Sequence, residues 1–246
     1  MPRLQLQTWQ EVETYLQSRR DIVMPIGSTE QHGPNGLIGT DAICPEIIAE
    51  GVTKKTGVMV GPTLAIGMAQ HHMAFPGTIT YRPQTLIATV KDVIASLGKH
   101  GFDRIYFLNG HGGNIATITA AFSEVYAEAS LNGGKPPRVK LANWFAGSRV
   151  RKLSKELYGD SEGSHATPSE VSLSYYAYPD FVKNVQMEPK VAAKGSIRDA
   201  DDYRRQFPDG RIGSDPSLSC VEHGKRLYEA SVDDVAEDLE GFVKED

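Results

Sequence analysis

The stretch "RIYFLNGHGGN", residues 104–114, is an unbroken apolar run that ends in glycines beside a histidine, and it decides the fold class. A run without polar and apolar alternation is typical of a strand buried on both faces. Apolar residues then recur at helical spacing, at Ile115, Ile118, Phe122 and Val125. The stretch therefore predicts a buried strand that leads directly into a helix.

Other parts of the chain repeat this pattern. Strand-like runs occupy residues 21–28, "DIVMPIGS", 58–62, "VMVGP", and 138–144, "RVKLANW". Residues 77–83, "GTITYRP", predict a further strand or a strand-like segment. Helical spacing recurs in four places, at Ile43 to Val52, Leu86 to Leu97, Thr167 to Tyr176 and Val232 to Phe242. The alternation predicts an α/β fold with a mostly parallel central sheet covered on both faces.

Two features lie outside this alternation. Thr8 and Glu11 form a capping-box pattern, which predicts a first helix that runs to about Arg19. Residues 188–216 are polar and have no sustained period. Because structureless loops of this length tend to be functional or mobile, we interpret this segment as a lid or an inter-subunit arm. No internal repeat or linker divides the sequence, and residues 1–246 are predicted to form a single domain.

Composition narrows the class of function. The 246 residues carry 26 Lys and Arg against 31 Asp and Glu, a net charge of −5, which argues against a nucleic-acid or anionic-membrane surface. No run approaches the roughly 18 apolar residues of a membrane helix, and the polar N-terminus lacks the apolar core of a signal peptide. Cys44 and Cys220 lack CxxC spacing. A cytoplasmic protein with a small-molecule partner is therefore predicted.

Potential metal ligands follow two of the predicted strands. Glu30, His32 and Asp41 lie in residues 24–41, "MPIGSTEQHGPNGLIGTD", and His111 follows the strand quoted first. Because the carboxyl ends of parallel strands share one edge of a sheet, these side chains are expected to meet there. The strand ends would hold the ligands rigidly, and the adjacent glycines would let the backbone approach a substrate closely.

A third contributor is "EGSHATPSE", residues 162–170, which offers His165 and Glu170. Carboxylate oxygen and imidazole nitrogen without thiolate suit Zn, Mn or Fe. The assembled groups exceed what one four-coordinate ion needs. They predict two divalent metal ions per chain that share a bridging carboxylate.

Each of these residues also has a structural interpretation. Glu30 and His32 could cap the next helix, and Asp41 stands where an N-cap aspartate is expected. His111 could tolerate an unusual backbone conformation between glycines. Glu170 completes the pattern T-P-S-E, which is itself a capping box. The residues alone leave these alternatives open.

Taken together, the motifs resemble those of the creatininase (creatinine amidohydrolase) family. The resemblance rests on "GSTEQHGP", on "GTDA", on "HMAFPGT", on "NGHGGN" and on "GSHATPSE", and it spans about residues 24–172. It implies a three-layer α/β/α fold, creatininase-like, and a dinuclear metal hydrolase that opens amide bonds in cyclic or small substrates. Members are commonly hexameric, so the resemblance implies a homo-hexamer.

The resemblance also implies a ligand set. Glu30 and His111 would bind one ion and His32 the other, while Asp41 would bridge the two ions.

This chain departs from creatininase itself in the loop after the strand quoted first. Creatininase reads like "NGHYEN" there, and its glutamate completes the second ion site, whereas this chain has Gly113. Glu170 is the expected replacement ligand. Gly112 replaces an aromatic substrate-contacting residue, which puts creatinine in doubt as the substrate. The candidate substrate-binding residues are His72, Gly112 and Gly113, and the candidate catalytic residues are His165 and Glu170.

The leading hypothesis is a metal-dependent amidohydrolase that cleaves a C–N amide-type bond other than a peptide bond. Two ions about 3.5–4 Å apart would lower the pKa of a shared water to near 7 and provide a bridging hydroxide. His165 would donate a proton to the departing nitrogen near its ordinary pKa of about 6.5, unless it is merely structural.

The alternative hypothesis is a non-catalytic binding module, in which "NGHGGN" holds a phosphate at a helix N-terminus. The absence of GxGxxG and of a Gly-Lys-Ser/Thr loop weakens this reading.

Overall fold

Four parallel strands form the centre of the protein in a computed structural model that describes residues 2–245. They lie in the order β2-β1-β3-β4 and comprise β1 (Asp21–Ile26), β2 (Met59–Val60), β3 (Arg104–Asn109) and β4 (Arg138–Asn143). At the carboxyl ends, Ile26 pairs in register with Asn109, and Asn109 pairs with Asn143. Three strands therefore end together at one edge of the sheet.

Helices cover both faces of this sheet. In the described range they are α1 (Trp9–Leu16), α2 (Thr40–Thr56), α3 (Pro83–His100), α4 (Asn114–Asn132), α5 (Ser148–Tyr158), α6 (Pro168–Ala177), α7 (Ala200–Gln206) and α8 (Val221–Lys244). Within residues 2–245, no helix is both long and apolar enough to cross a membrane.

The two faces of the sheet explain the unbroken apolar runs. On β1, Ile22, Met24 and Ile26 belong to the core shared with α3 and α4. Val23 points the other way and belongs to the core shared with α2, α6 and α8. Because both faces of a strand are buried, alternate residues cannot be polar. The predicted three-layer α/β/α architecture with a parallel sheet is confirmed.

The first turn of α2 packs directly on the ends of β1 and β3. A Cβ atom added to Gly27 would lie 2.0 Å from the backbone oxygen of Asp41, and one added to Gly110 would also lie 2.0 Å from that oxygen. Only glycine leaves room for this approach. At these two positions the expectation of backbone access for a substrate is wrong, because the helix that carries Asp41 occupies the space.

Two segments differ from the regular alternation. Within residues 77–83, Ile79 forms an isolated antiparallel bridge with Thr29, so this segment is strand-like only. Residues 188–216, which we call the cover segment, contain helix α7, although the sequence there has no clear period. Tyr203 and Phe207 of this segment are buried. The cover segment thus packs against its own chain, beside the residues that follow β1.

Candidate metal centre

The predicted ligands converge at the carboxyl edge of the sheet. Glu30 and His32 lie in the loop after β1, Asp41 lies in the first turn of α2, and His111 follows β3. Their exposed fractions are 0%, 1%, 3% and 5%, respectively. Four ionisable side chains are therefore packed together out of contact with water.

Asp41 lies between two imidazole rings. Its Oδ1 atom is 3.0 Å from Nε2 of His32, and its Oδ2 atom is 2.8 Å from Nδ1 of His111. The N-cap position of α2 belongs to Gly39, which makes no side-chain cap hydrogen bond. The N-cap interpretation of Asp41 is therefore wrong, since its carboxylate faces the cluster.

The remaining ring nitrogens of these histidines face backbone carbonyls. Nδ1 of His32 lies 3.1 Å from the oxygen of Glu30, and Nε2 of His111 lies 3.1 Å from the oxygen of Met68. A carbonyl can only accept, so these nitrogens carry the hydrogens. Nε2 of His32 and Nδ1 of His111 are thereby directed at the cluster, as is usual for histidines that bind a metal.

The backbone interpretation of His111 also fails. Among the described residues other than glycine, only Ala166 has a positive φ, of 52°. His111 therefore has no unusual backbone conformation to accommodate.

Two carboxylate oxygens in the cluster lack a well-aligned hydrogen-bond donor. Oε2 of Glu30 accepts from Oγ of Ser28 at 2.8 Å. Oε1 of Glu30 and Oδ2 of Asp41 are buried and have no well-aligned donor, although an imidazole nitrogen lies near each, at 2.9 Å and 2.8 Å. Leaving such atoms unpaired is costly unless a cation binds them. The residues present therefore fit a metal centre.

Glu170 serves two purposes at once. Its Oε1 atom accepts from the backbone N–H of Thr167 at 2.6 Å, and its own N–H donates to Oγ1 of Thr167 at 3.2 Å. This is the predicted capping box. The second oxygen, Oε2, lies 3.9 Å from Nε2 of His32. Glu170 can therefore cap helix α6 with one carboxylate oxygen while the other oxygen faces the cluster.

Three groups of side chains have ligand atoms within 4.8 Å of one another. They are Glu30 with Asp41 and His111, His32 with Asp41 and Glu170, and Glu30 with His32 and His165. The first two groups contain all five predicted ligands, and Asp41 belongs to both. The third adds His165, whose Nδ1 atom is 3.9 Å from Oε1 of Glu30.

The charges within the cluster oppose the effect of burial. Burial would lower the pKa of His32, but Asp41 raises it to about 10. Burial would likewise lower the pKa of His111, whereas Glu30 and Asp41 raise it to about 9. Burial raises the pKa of Glu170 to about 7, against the effect of His32. In the metal-free state, the rings of His32 and His111 are therefore protonated at neutral pH. Their positive charges balance the carboxylates in place of metal ions.

His165 behaves differently from the other histidines. Burial, together with the neighbouring His72 and His32, lowers its pKa well below the usual range. The expectation of a pKa near 6.5 is therefore wrong, because burial and the two neighbouring imidazoles outweigh the opposing effect of Glu30 and Asp41. At neutral pH the ring is uncharged and must take up a proton before it can donate one.

A cleft of about 320 Å³ opens onto the cluster, a size that suits a small molecule. Its lining includes Asp41, His111, Gly112, Trp144, Phe145, Glu162, His165 and Glu170. A larger cleft of about 650 Å³ lies between β4 and α8 and is lined by surface charges such as Lys140 and Asp238. We assign the site to the smaller cleft, because the cluster lines it.

The other predicted substrate-binding residues lie beside ligands. His72 is 1% exposed, and its Nε2 atom is 2.9 Å from Oε1 of Glu30. A Cβ atom on Gly113 would lie 2.4 Å from Nε2 of His111. Both positions thus lie against a predicted metal ligand.

Two residues of the site were missed by the sequence analysis. Gln31 lies between Glu30 and His32, and its Nε2 atom is 3.0 Å from His72 and 3.1 Å from the hydroxyl of Tyr203. Its place inside the "EQH" motif was the only available signal. Tyr203 lies 172 positions further along the chain, so no local pattern could point to it.

A three-layer α/β/α fold with a buried carboxylate–imidazole cluster at the strand ends is an arrangement in which a metal ion could be bound for catalysis. The family profile described as "Creatininase: Creatinine amidohydrolase" matches residues 5–239. The chain belongs to the creatininase family, and it is a hydrolase of that family.

Several curated proteins are similar to this chain. The 3-dehydro-scyllo-inosose hydrolase of Thermotoga maritima is 30% identical, over 93% of this chain and 79% of its own. The creatinine amidohydrolase of Pseudomonas putida is 26% identical, over 94% and 93%. The mycofactocin precursor peptide peptidase of Mycolicibacterium smegmatis is also 26% identical, over 88% and 83%. The family therefore includes enzymes named for different substrates.

Solved structures of creatininases share the fold. One described as "Creatininase Mn" superimposes with a TM-score of 0.84 and 25% identity, over 97% of this chain and 98% of its own. A mutant creatininase described as "Zn-Zn type" gives a TM-score of 0.84 and 25% identity, over 97% of each chain.

Proposed function

We propose that this chain is a dinuclear metal-dependent amidohydrolase that cleaves a C–N amide-type bond in a small or cyclic substrate. The observation that carries the proposal is the position of Asp41, each of whose carboxylate oxygens faces a different imidazole. One carboxylate placed in this way can serve two ions. The creatinine amidohydrolase relative and the zinc- and manganese-containing creatininase structures support the same chemistry.

In this proposal Glu30, Asp41 and His111 hold one ion, and His32, Asp41 and Glu170 hold the other. Each set has ligand atoms within 4.8 Å of one another. Zinc, manganese and iron suit these oxygen and nitrogen donors. When bound, the ions would acidify a water molecule and polarise the substrate carbonyl.

His165 is the proposed proton carrier. Its uncharged ring directs Nδ1 towards Glu30 at 3.9 Å, and the side chain lines the cleft. Nδ1 would accept a proton from the attacking water and pass it to the departing nitrogen. Gly112 leaves open space at the cleft, since a Cβ atom there would have no neighbour within 4 Å. That space would admit the substrate.

The phosphate-binding alternative is less well supported. Two buried carboxylates, Glu30 and Asp41, lie beside the "NGHGGN" loop and would repel an anion. The N–H of His111 is also engaged, because it donates to Oδ1 of Asn109 at 3.1 Å.

Elemental analysis combined with a substrate screen tests the proposal. Purified protein should contain close to two divalent ions per chain. The metal-loaded protein should hydrolyse at least one compound among creatinine, cyclic ureides, lactams, formamides and short peptides, and a chelator should abolish that activity. A phosphate ester as the best substrate would contradict the amidohydrolase proposal. If the protein instead preferred 3-dehydro-scyllo-inosose, its substrate would be the one named for the Thermotoga maritima relative, and the proposed amide substrate would be wrong.

We also propose that the chain forms a homo-oligomer, a hexamer by family resemblance. Several large apolar side chains are exposed, among them Trp9 at 70%, Leu131 at 84% and Phe181 at 54%. Aromatic side chains are enriched at protein interfaces relative to the rest of the surface. Light scattering coupled to size-exclusion chromatography should give about six times the mass of one chain, and a monomer mass would contradict the proposal.

A further inference from the structure

Gln31 has a defined orientation in the site. Its Oε1 atom accepts from the backbone N–H of Gly33 at 2.8 Å, and its Nε2 atom lies 3.1 Å from the backbone oxygen of Gly210. A backbone N–H needs an acceptor, and a backbone carbonyl needs a donor. The two contacts therefore identify oxygen and nitrogen of the amide independently of each other.

The amide nitrogen of Gln31 contacts His72. The distance from Nε2 of Gln31 to Nδ1 of His72 is 3.0 Å. Because the amide can only donate, Nδ1 of His72 must accept and cannot carry a hydrogen. The neutral ring then bears its hydrogen on Nε2, which lies 2.9 Å from Oε1 of Glu30.

The backbone of Gln31 acts on a second histidine. Its carbonyl oxygen is 2.9 Å from Nε2 of His165, so this nitrogen carries the hydrogen and Nδ1 is left with a lone pair. The side-chain amide is also close to Nε2 of His165, at 3.0 Å. The amide cannot donate to Nε2 of His165, since this nitrogen already bears the hydrogen that it donates to the Gln31 carbonyl.

The cover segment holds the amide in this orientation. The second amide hydrogen has two acceptors, the Gly210 carbonyl and the Tyr203 hydroxyl, each at 3.1 Å. The Tyr203 hydroxyl itself donates to Gly210 at 2.7 Å. Residues from the far end of the chain thus complete the hydrogen bonds of a residue in the metal-binding motif.

We infer that Gln31 is a positioning residue that sets the tautomers of two histidines at the metal centre, His72 through its side chain and His165 through its backbone carbonyl. His72 then directs its Nε2–H towards the proposed ligand Glu30, and His165 keeps a lone pair on Nδ1. The value of this arrangement for catalysis rests on the proposed function, whereas the tautomers are a property of the folded chain.

Nitrogen-15 NMR of the histidine rings tests the inference without an activity assay. In zinc-loaded, ¹⁵N-histidine-labelled protein, long-range ¹H–¹⁵N correlations should show His72 and His165 each with a protonated Nε2 and a bare Nδ1. In Gln31→Met, which removes the amide but keeps the length of the side chain, an Nδ1–H form of His72 should appear. His165 should be unchanged, since the backbone carbonyl remains.

Two further variants separate a direct effect from a loosened cover segment. Tyr203→Phe removes one acceptor of the amide but leaves Gly210, so His72 should keep its Nε2–H form. Gln206→Met removes an exposed amide of the same segment, which contacts Asp202 at 2.8 Å, and both tautomers should persist. An equal change of His72 in Gln31→Met and Tyr203→Phe would overturn the inference, because cover loosening alone would then explain it.

Gln31→Glu provides a second test with a side chain of the same shape. Its carboxylate cannot donate, so His72 should gain a proton on Nδ1. Persistence of a bare Nδ1 on His72 in either Gln31 variant would overturn the inference, since Glu30 alone would then set the tautomer. Failure of the protein to bind two metal ions would instead contradict the proposed function. It would leave this inference testable, because the tautomers of His72 and His165 can also be measured in the metal-free protein.

Discussion

Asp41 is the residue on which both proposed ion sites depend, because it is common to the two ligand groups. Asp41→Ala should therefore lose both ions together, as measured by elemental analysis after gel filtration. Asp215→Ala is a suitable control, since Asp215 is a buried carboxylate outside the cluster that caps a short helical turn. Retention of one tightly bound ion by Asp41→Ala would rule out a bridging role.

Glu170 offers a test in which capping and ligation separate. Glu170→Gln keeps an oxygen for the Thr167 N–H, and glutamine can complete a capping box, so the helix should remain intact by circular dichroism. The neutral amide is a poor ligand, and the metal content should fall from about two ions to about one. An unchanged content would leave Glu170 with its capping role alone.

His165 can be tested apart from metal binding. If it carries the proton, His165→Gln should keep both ions and lower kcat by roughly 10²–10⁴-fold, the usual contribution of a positioned acid or base. Amides whose leaving group departs without protonation should lose less. Loss of an ion would make His165 a metal ligand, in agreement with its position beside Glu30 and His32. Near-normal kcat on all amides would exclude it from catalysis.

The cover segment is organised by one buried arginine. The guanidinium of Arg211, which is 1% exposed, donates to the backbone oxygens of Lys190 at 2.6 Å and Pro189 at 2.9 Å, and it pairs with Asp209 at 2.8 Å. These contacts join the two ends of the segment. They explain how a polar stretch without apolar periodicity keeps a defined conformation over the site.

Replacement of this arginine should open the cover segment locally. Arg211→Met leaves backbone acceptors without a donor, at a cost of about 1–3 kcal/mol. Amide exchange within the segment should then become roughly 5- to 150-fold faster, while the amides of β3 stay protected. Arg205→Met is the matched control, because Arg205 is 70% exposed and pairs with Asp202 in the same helix. Equal exchange in the two variants would show that Arg211 does not hold the segment.

At the scale of the whole molecule, the proposed metal binding would be linked to folding through two histidines. In the metal-free protein, the pKa values of His32 and His111 are about 10 and about 9, above the ordinary value of about 6.5. A raised pKa stabilises the fold fully below about pH 6.5, and this contribution is lost as pH rises through the folded-state values. Metal-free protein should therefore become less stable between pH 6.5 and about 10.

The difference in Tm between metal-loaded and chelated protein should accordingly widen from pH 6.5 to pH 9. Protons compete with the ions for the same nitrogens, so higher pH also favours metal binding. At a free metal concentration of 100 times Kd, each site should add about 2.7 kcal/mol, or roughly 5–10 °C in Tm. Differential scanning fluorimetry measures the difference, and Asp41→Ala should show none. A difference that narrows with pH would contradict this linkage.

The sequence by itself determined the layers of the fold and the chemical nature of the site. The apolar run of residues 104–109 has no alternation because both faces of β3 are buried, and that is a local property which a sequence displays. The residue types at Glu30, His32, Asp41 and His111 likewise appear in short motifs next to strand ends. A parallel sheet brings such ends together whatever the intervening chain contains.

Only the tertiary structure decided how these residues are used. Asp41 could equally have capped its helix, and its place between two imidazoles depends on the close packing of α2 against Gly27 and Gly110. The role of Gln31 depends on partners 134 and 179 positions away, His165 and Gly210. Contacts of this kind leave no periodic trace in the sequence, because they are set by where distant segments pack and not by the conformation of either one.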